Sequence, residues 1–126
     1  MTRIEFSKKI TGLIQRMFAE GDNPCPHEWF RDARLQAIYY QQGRGNPGAI
    51  ITNCDGINKK SAHQSGKAID VYLTDDDGEI VWDVLKEGCE KYKEKILYYH
   101  SIWDKEYGGK PMIDKPGLRD FPHFEG

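Results

Sequence analysis

Cysteine is scarce in this chain and poorly placed for bonding. The three present, Cys25, Cys54 and Cys89, are far apart and odd in number. No CxxC pair exists among them, so neither a structural zinc knuckle nor a redox motif is supported, and they read as reduced thiols. No apolar run approaches the ~20 residues of a membrane span. The start, Met1-Thr2-Arg3-Ile4-Glu5-Phe6, lacks the apolar core of a signal peptide. The expectation is a chain made in the cytoplasm, for which any outside destination needs another exit route. An excess of either charge is also missing. A formal net charge of −2 argues against nucleic acid or an anionic membrane as the main partner. Internal repeats, low-complexity segments and interdomain linkers are absent. The Gly43-Arg44-Gly45-Asn46-Pro47-Gly48 loop is not a phosphate loop, because no Gly-Lys-Ser/Thr follows.

What is there suits one domain, residues 1–126. Hydrophobic residues make up 38% of the chain and aromatics 12%, enough for one core without staples. The spacing of Ile4, Ile10, Leu13, Ile14, Met17 and Phe18 predicts an amphipathic helix over 4–20, with Ser7 as an alternative cap. Gly21 to Pro24 stops it. Residues 24–30 read as short and irregular, with His27 as a surface or packing histidine. Asp32 to Gln42 reads as a second helix with Ala33, Ala37 and Ile38 on its apolar face, ended by Gly43. Ala49 to Thr52 is a strand candidate.

Ala68 to Leu73 reads as a strand, with Ile69, Val71 and Leu73 on one face and Asp70 and Tyr72 on the other. Thr74 to Gly78 is a turn without the full calcium-loop spacing, and Glu79 to Trp82 continues as a strand. Asp83 to Lys95 reads as a third helix with Val84, Leu85, Cys89 and Tyr92 inward. Ile96 to Trp103 is expected to be partly extended, with His100 packed. Lys105 to Leu118 is loop-rich and could wall a groove. A short strand after Pro122 would put Phe121, His123 and Glu125 on one face.

The chemistry concentrates in two stretches, Ser61 to Asp70 and Asp120 to Glu125. His63, Asp70 and His123 are a sufficient ligand set for a catalytic zinc, which keeps its fourth position for water. As bare residues the triple is a weak signal, because a chain with four histidines offers several. A carboxylate inside a strand, however, is expensive to bury without compensation, and a metal ion supplies it. Asp120 stands where a general acid/base would serve that water. An arginine near the site could stabilise an oxyanion, and Arg31 and Arg44 are both candidates, although either could equally be a solvated surface residue.

Ser61-x-His63-x-x-Gly66-x-Ala68-x-Asp70 with Asp120-x-x-His123-Phe124-Glu125 resembles the zinc D-alanyl-D-alanine carboxypeptidase family. That family includes phage L-alanyl-D-glutamate endopeptidases and shares its fold with the Hedgehog signalling domain. Phe30-Arg31 with Gln36, and the stretch Tyr39 to Arg44 followed by Pro47-Gly48 and Ile51-Thr52-Asn53, extend the resemblance from about Trp29 to Glu125. Asp120 and the Gly-Arg loop are similar to the endopeptidase branch.

The resemblance implies a small single-domain α+β fold with a central antiparallel sheet and about three packed helices. It implies zinc held by His63, Asp70 and His123, and Asp120 as the catalytic acid/base. Arg31 falls at the position of the oxyanion arginine, and Ser61 and Arg44 fall near substrate. The implied activity is hydrolysis of peptidoglycan stem peptides at the L-Ala–D-Glu bond, by a monomer, in the setting of phage or prophage lysis. A D-Ala-D-Ala carboxypeptidase is the alternative enzyme, and a non-catalytic zinc-binding wall-recognition domain is the alternative from another class.

Overall fold

The first helix begins where its backbone donors find partners. Thr2 caps α1 (Arg3–Ala19): its side chain accepts from the Glu5 N–H at 3.1 Å, and the Glu5 carboxylate accepts from the Thr2 N–H at 2.7 Å. This reciprocal pair satisfies two otherwise orphaned donors, so Thr2, and not Ser7, sets the start. Phe6, Ile10, Leu13 and Met17 follow the helical repeat and are fully buried. The coordinates are a computed structural model describing residues 1–126.

Residues 24–28 are not irregular. They form β1 (Pro24–Glu28), antiparallel to β2 (Ala68–Thr74). Pro24 and Pro26 lie opposite Leu73 and Val71, and the Val71 N–H points the other way, to the Pro122 carbonyl. The N–H groups that the prolines lack therefore fall on the outer edge of the sheet, where none is needed. A register shift between Pro26 and Glu28 turns the chain toward Arg31.

Asp32 caps α2 (Ala33–Gln41) through the Leu35 N–H. The expected apolar face is wrong for this helix. Ile38 is exposed, and the fully buried side chain is Gln36. Residues 49–52 form no strand. Ile50 and Ile51 are exposed, and polar contacts hold the loop, such as Gln42 Nε2 donating to the Ala49 carbonyl at 2.9 Å.

β2 is the central strand. Ile69, Val71 and Leu73 enter the core, while Asp70 and Tyr72 take the other face. β1 lines one of its edges. The other edge carries β3 (Ile80–Val81) at its far end and β6 (His123–Glu125) at its near end, both antiparallel to β2.

The expected helix over 83–95 is a turn followed by a later helix. Gly88 has a left-handed φ of 87° that breaks any helix through it, and Asp83 accepts from the Leu85 N–H in a local turn. Helix α3 (Glu90–Tyr107) then absorbs the apolar run that was expected to be partly extended. Ile96, Tyr99, His100 and Trp103 recur at helical spacing and are buried against α1 and β2. A hairpin of β4 (Asp114–Lys115) and β5 (Leu118–Arg119) leads back to β6. The result is the expected α+β architecture of three helices on an antiparallel sheet.

Candidate metal and catalytic site

The site lies on the face of β2 opposite the core. Asp70 is the Cα partner of His123 on β6 and of Glu28 on β1, so three adjacent strands meet at this carboxylate. His63 arrives from a turn that closes when the Gly66 N–H donates to the His63 carbonyl at 3.1 Å. Gly66 has a left-handed φ of 70°, a conformation that favours glycine there. The Arg31 N–H also donates to the His63 carbonyl, at 3.1 Å. The histidine is thereby clamped to the segment joining β1 and α2.

The two imidazoles are oriented by what their outer nitrogens touch. His63 Nδ1 donates to the Trp29 carbonyl at 3.0 Å, and His123 Nε2 donates to the Glu125 carboxylate at 3.0 Å. Each outer nitrogen holds its ring's hydrogen, so the inner nitrogens present lone pairs. Those inner atoms, His63 Nε2 and His123 Nδ1, are 3.2 Å apart, and they lie 3.3 and 3.5 Å from Asp70 Oδ1. Two lone pairs and a carboxylate at such range repel unless a proton or a cation lies among them.

The donor set fits a metal ion. The three side chains offer ligand atoms all within 4.8 Å of one another. Tetrahedral ligands at about 2.0–2.1 Å from zinc are about 3.3 Å from each other, which the observed spacings match. The outer nitrogens of both rings are already paired, as ligating histidines require.

Electrostatics follow this geometry. Burial pushes the Asp70 carboxyl up, but hydrogen bonds from His123 and His63 outweigh that and hold it far below the usual carboxylate range. Burial works against protonated His123, yet hydrogen bonds to Asp70 and Glu125 carry its pKa up to about 9. The hydrogen bond from His123 brings Glu125 down to about 2, with Lys110 Nζ adding an ion pair at 2.8 Å. Without a metal the cluster therefore holds a proton.

Asp120 stands beside the cluster, its charge felt by His123 and His63. Its carbonyl accepts from the His123 N–H at 3.3 Å, and its own N–H donates to the Ile113 carbonyl at 3.0 Å. Burial raises its carboxyl pKa, with Asp70 adding to the shift and His123 offsetting part of it. A carboxyl moved toward neutrality is better matched to proton transfer.

Arg31 is buried beneath the His63 turn. Its Nε meets Glu28 at 3.1 Å, its Nη1 donates to Gln36 Oε1 at 2.7 Å, and its guanidinium lies 4.6 Å from the Tyr39 ring centroid. Nη2 has no protein partner and is available to a bound molecule. Ser61 joins the same network, its hydroxyl donating to Gln36 Oε1 at 2.8 Å. Gln36 is thus the hub. Its oxygen accepts from Arg31 and Ser61, while its nitrogen donates to Thr52 Oγ1 at 3.2 Å and to the Cys54 carbonyl at 2.6 Å.

Arg44 is not brought to the cluster. Its guanidinium is spent on the Tyr40 and Thr52 carbonyls and on Asn53, and it lies over the Tyr40 ring, so it braces the loop. All three cysteines are free, and only the Cys54 backbone joins the Gln36 network. His27 packs against Tyr72 and Trp82, as a packing histidine should.

Sequence reading left without roles Glu125 and the Trp29 carbonyl, which pair with the two histidines, and behind them Lys110, which pairs with Glu125, and Gln36, which holds Arg31. Glu125 carried a signal, because it is two residues beyond His123 on a strand and so shares its face.

No protein-family model matches the chain. The fold is shared with a solved structure: the chain superposes on the L,D-carboxypeptidase DacB from Streptococcus pneumoniae with a TM-score of 0.62 and 22% identity, over 96% of this chain and 64% of that one. A sequence relative narrows the likeness. Over 101 residues, 78% of this chain, it is 36% identical to the peptidoglycan L-alanyl-D-glutamate endopeptidase CwlK of Bacillus subtilis. The family resemblance carried by the His63 and His123 motifs is borne out. The aligned part of this chain spans 57% of that relative's length.

Proposed function

We propose that residues 1–126 form the catalytic domain of a zinc metallopeptidase that hydrolyses peptidoglycan stem peptides at the L-Ala–D-Glu bond. The convergence of the inner nitrogens of His63 and His123 on Asp70, beside a half-buried Asp120, carries this reading. The likeness to the Bacillus endopeptidase supports the substrate. Phage- or prophage-driven lysis is the proposed setting. No helix is long and apolar enough to cross a membrane.

His63, Asp70 and His123 would hold the zinc, which when bound lowers the pKa of water to about 7 and polarises a carbonyl. The chain's own groups do the rest. Asp120 accepts the proton of the attacking water and returns it to the leaving amine. Arg31, with Nη2 unpaired, stabilises the oxyanion of the tetrahedral intermediate. Such a donor is worth roughly 3–4 kcal/mol of barrier. Gln36 holds the guanidinium and the Ser61 hydroxyl in one geometry and keeps that donor preorganised.

The test is mass spectrometry of purified peptidoglycan digested by the zinc-loaded protein, with Asp120→Ala in parallel. Stem peptides beginning at D-Glu, absent with the variant, are the expected result. Free D-Ala as the sole product would assign a carboxypeptidase instead. Wall binding without any product from the zinc-loaded protein would assign a recognition domain.

A further inference from the structure

Three backbone carbonyls lie between Asp120 and His123, and each needs a donor. The His123 N–H donates to the Asp120 carbonyl at 3.3 Å, and the Val71 N–H donates to that of Pro122 at 2.8 Å. No backbone N–H reaches the third, on the buried Phe121. Its donor is a side chain from another element: His100 of α3, whose Nε2–H lies 2.6 Å away.

Packing alone does not account for a histidine there. His100 belongs to the buried stripe of α3 with Ile96, Tyr99 and Trp103, and its Nδ1 has no partner. A buried acceptor left unpaired destabilises a fold, and an apolar ring of similar size would avoid that. The imidazole lies flat on Phe124, with centroids 4.0 Å apart and 4° between the planes, a contact that a phenyl ring could also make. What a phenyl ring lacks is the N–H. Burial lowers the His100 pKa to about 4, so at neutral pH the ring carries one hydrogen, on the nitrogen that faces the carbonyl.

The two ends of this segment are held differently. His123 is fixed by its ladder pairing with Asp70. The Asp120 carboxylate takes no hydrogen bond from the protein; burial and the charges of His123, Asp70 and His63 are what act on it. Its place is therefore set by its backbone. That backbone is tied to the Ile113 carbonyl at the Asp120 N–H and, at the next residue, to His100.

We propose that His100 is a positioning residue that fixes Asp120 relative to His63, Asp70 and His123, by holding the Phe121 carbonyl from the core. Its effect on turnover rests on the peptidase reading proposed above, whereas the anchoring itself does not. A misplacement of about 1 Å in a reacting group can cost on the order of 10²-fold in rate. One hydrogen bond beneath the site thus bears on catalysis without touching substrate.

The experiment compares His100→Phe with His100→Gln in the zinc-loaded full chain, on a soluble muropeptide. Phenylalanine keeps a ring on Phe124 and loses the donor. Glutamine loses the ring and keeps an N–H at the same number of bonds from Cβ. His100→Phe should lower kcat about tenfold with KM and zinc content unchanged, and His100→Gln should recover most of the loss. A packing role gives the reverse order. An unchanged kcat in His100→Phe, or a loss that His100→Gln shares in full, overturns the proposal. If His100→Phe does not fold, His100→Met takes its place, since methionine fills irregular space without a donor. Amide hydrogen exchange reads the anchoring without substrate. Relative to the α1 amides, the Asp120 N–H should exchange about tenfold faster in His100→Phe and near the original rate in His100→Gln. If the unmodified protein cuts no muropeptide, the peptidase reading fails and exchange alone decides: the faster rate supports the anchoring, and equal rates overturn it.

Discussion

Asp70 and His123 are Cα partners across β2 and β6, and the carboxylate of one lies 3.5 Å from Nδ1 of the other. The ladder sets that approach, so these two candidate ligands are held by the sheet itself. The third, His63, is tied by backbone hydrogen bonds to the chain that leaves β1.

Zinc binding should be pH-dependent, because the metal must displace the proton the cluster holds. His123 is raised to about 9, so its proton competes at neutral pH. The zinc association constant should rise close to tenfold per pH unit from about 7 to 9 and then level off. Calorimetry at several pH values, in buffers of different ionisation enthalpy, should register about one proton released near pH 7. A flat affinity over that range would remove His123 from the ligand set.

Asp120→Asn should keep the metal and lose the chemistry. The side chain is nearly isosteric but cannot accept a proton, so kcat should fall by roughly 10²–10⁴-fold. Zinc content and thermal stability should stay close to those of the unmodified protein. Loss of zinc in this variant would place Asp120 among the ligands.

Glu125→Ala should weaken zinc binding by about 10–100-fold, because it removes the acceptor that fixes the ring hydrogen of His123 on Nε2. Competition against a chromogenic chelator measures this without any substrate. An unchanged affinity would show that the strand alone orients His123.

Gln36→Leu should be costly although it is apolar and similar in size. It leaves a buried arginine nitrogen and the Ser61 hydroxyl without their shared acceptor. The expected loss is about 2–4 kcal/mol of stability by denaturant unfolding. In protein that remains folded, kcat should fall more than KM rises if Arg31 acts on the oxyanion.

His100 should make the protein sensitive to acid. It is buried in α3, stacks on Phe124 at 4.0 Å and donates from Nε2 to the Phe121 carbonyl at 2.6 Å, while Nδ1 has no partner. Burial lowers its pKa to about 4. The unfolded chain, at about 6.5, therefore takes up a proton that the folded one refuses. This contribution is complete above pH 6.5 and is lost as pH falls toward 4, by about 3 kcal/mol in all. Unfolding curves of metal-free protein across that window should show it, and His100→Phe should flatten the slope.

The sequence alone determined the first helix, through helical spacing over 4–20, and the strand carrying Asp70, through alternation along 68–73. The α+β class and the candidate metal set came from the family resemblance of the His63 and His123 stretches, because as bare residues the triple is a weak signal. Reading failed where tertiary context overrode local pattern. Residues 96–103 are apolar enough to suit strand or helix, and packing against α1 made them helix. Pro24 and Pro26 argued against a strand, but their missing donors fall on a sheet edge.

What only the tertiary structure decided is which nitrogen of each histidine faces inward, that Gln36 and not an apolar residue fills the inner side of α2, and that Arg31 reaches the His63 turn while Arg44 braces its own loop. Several of these depend on hydrogen bonds between residues far apart in the chain, as between His63 and the Trp29 carbonyl, 34 positions away. Local sequence carries no record of such pairings, because they form only when the sheet register brings the partners within about 3 Å of each other.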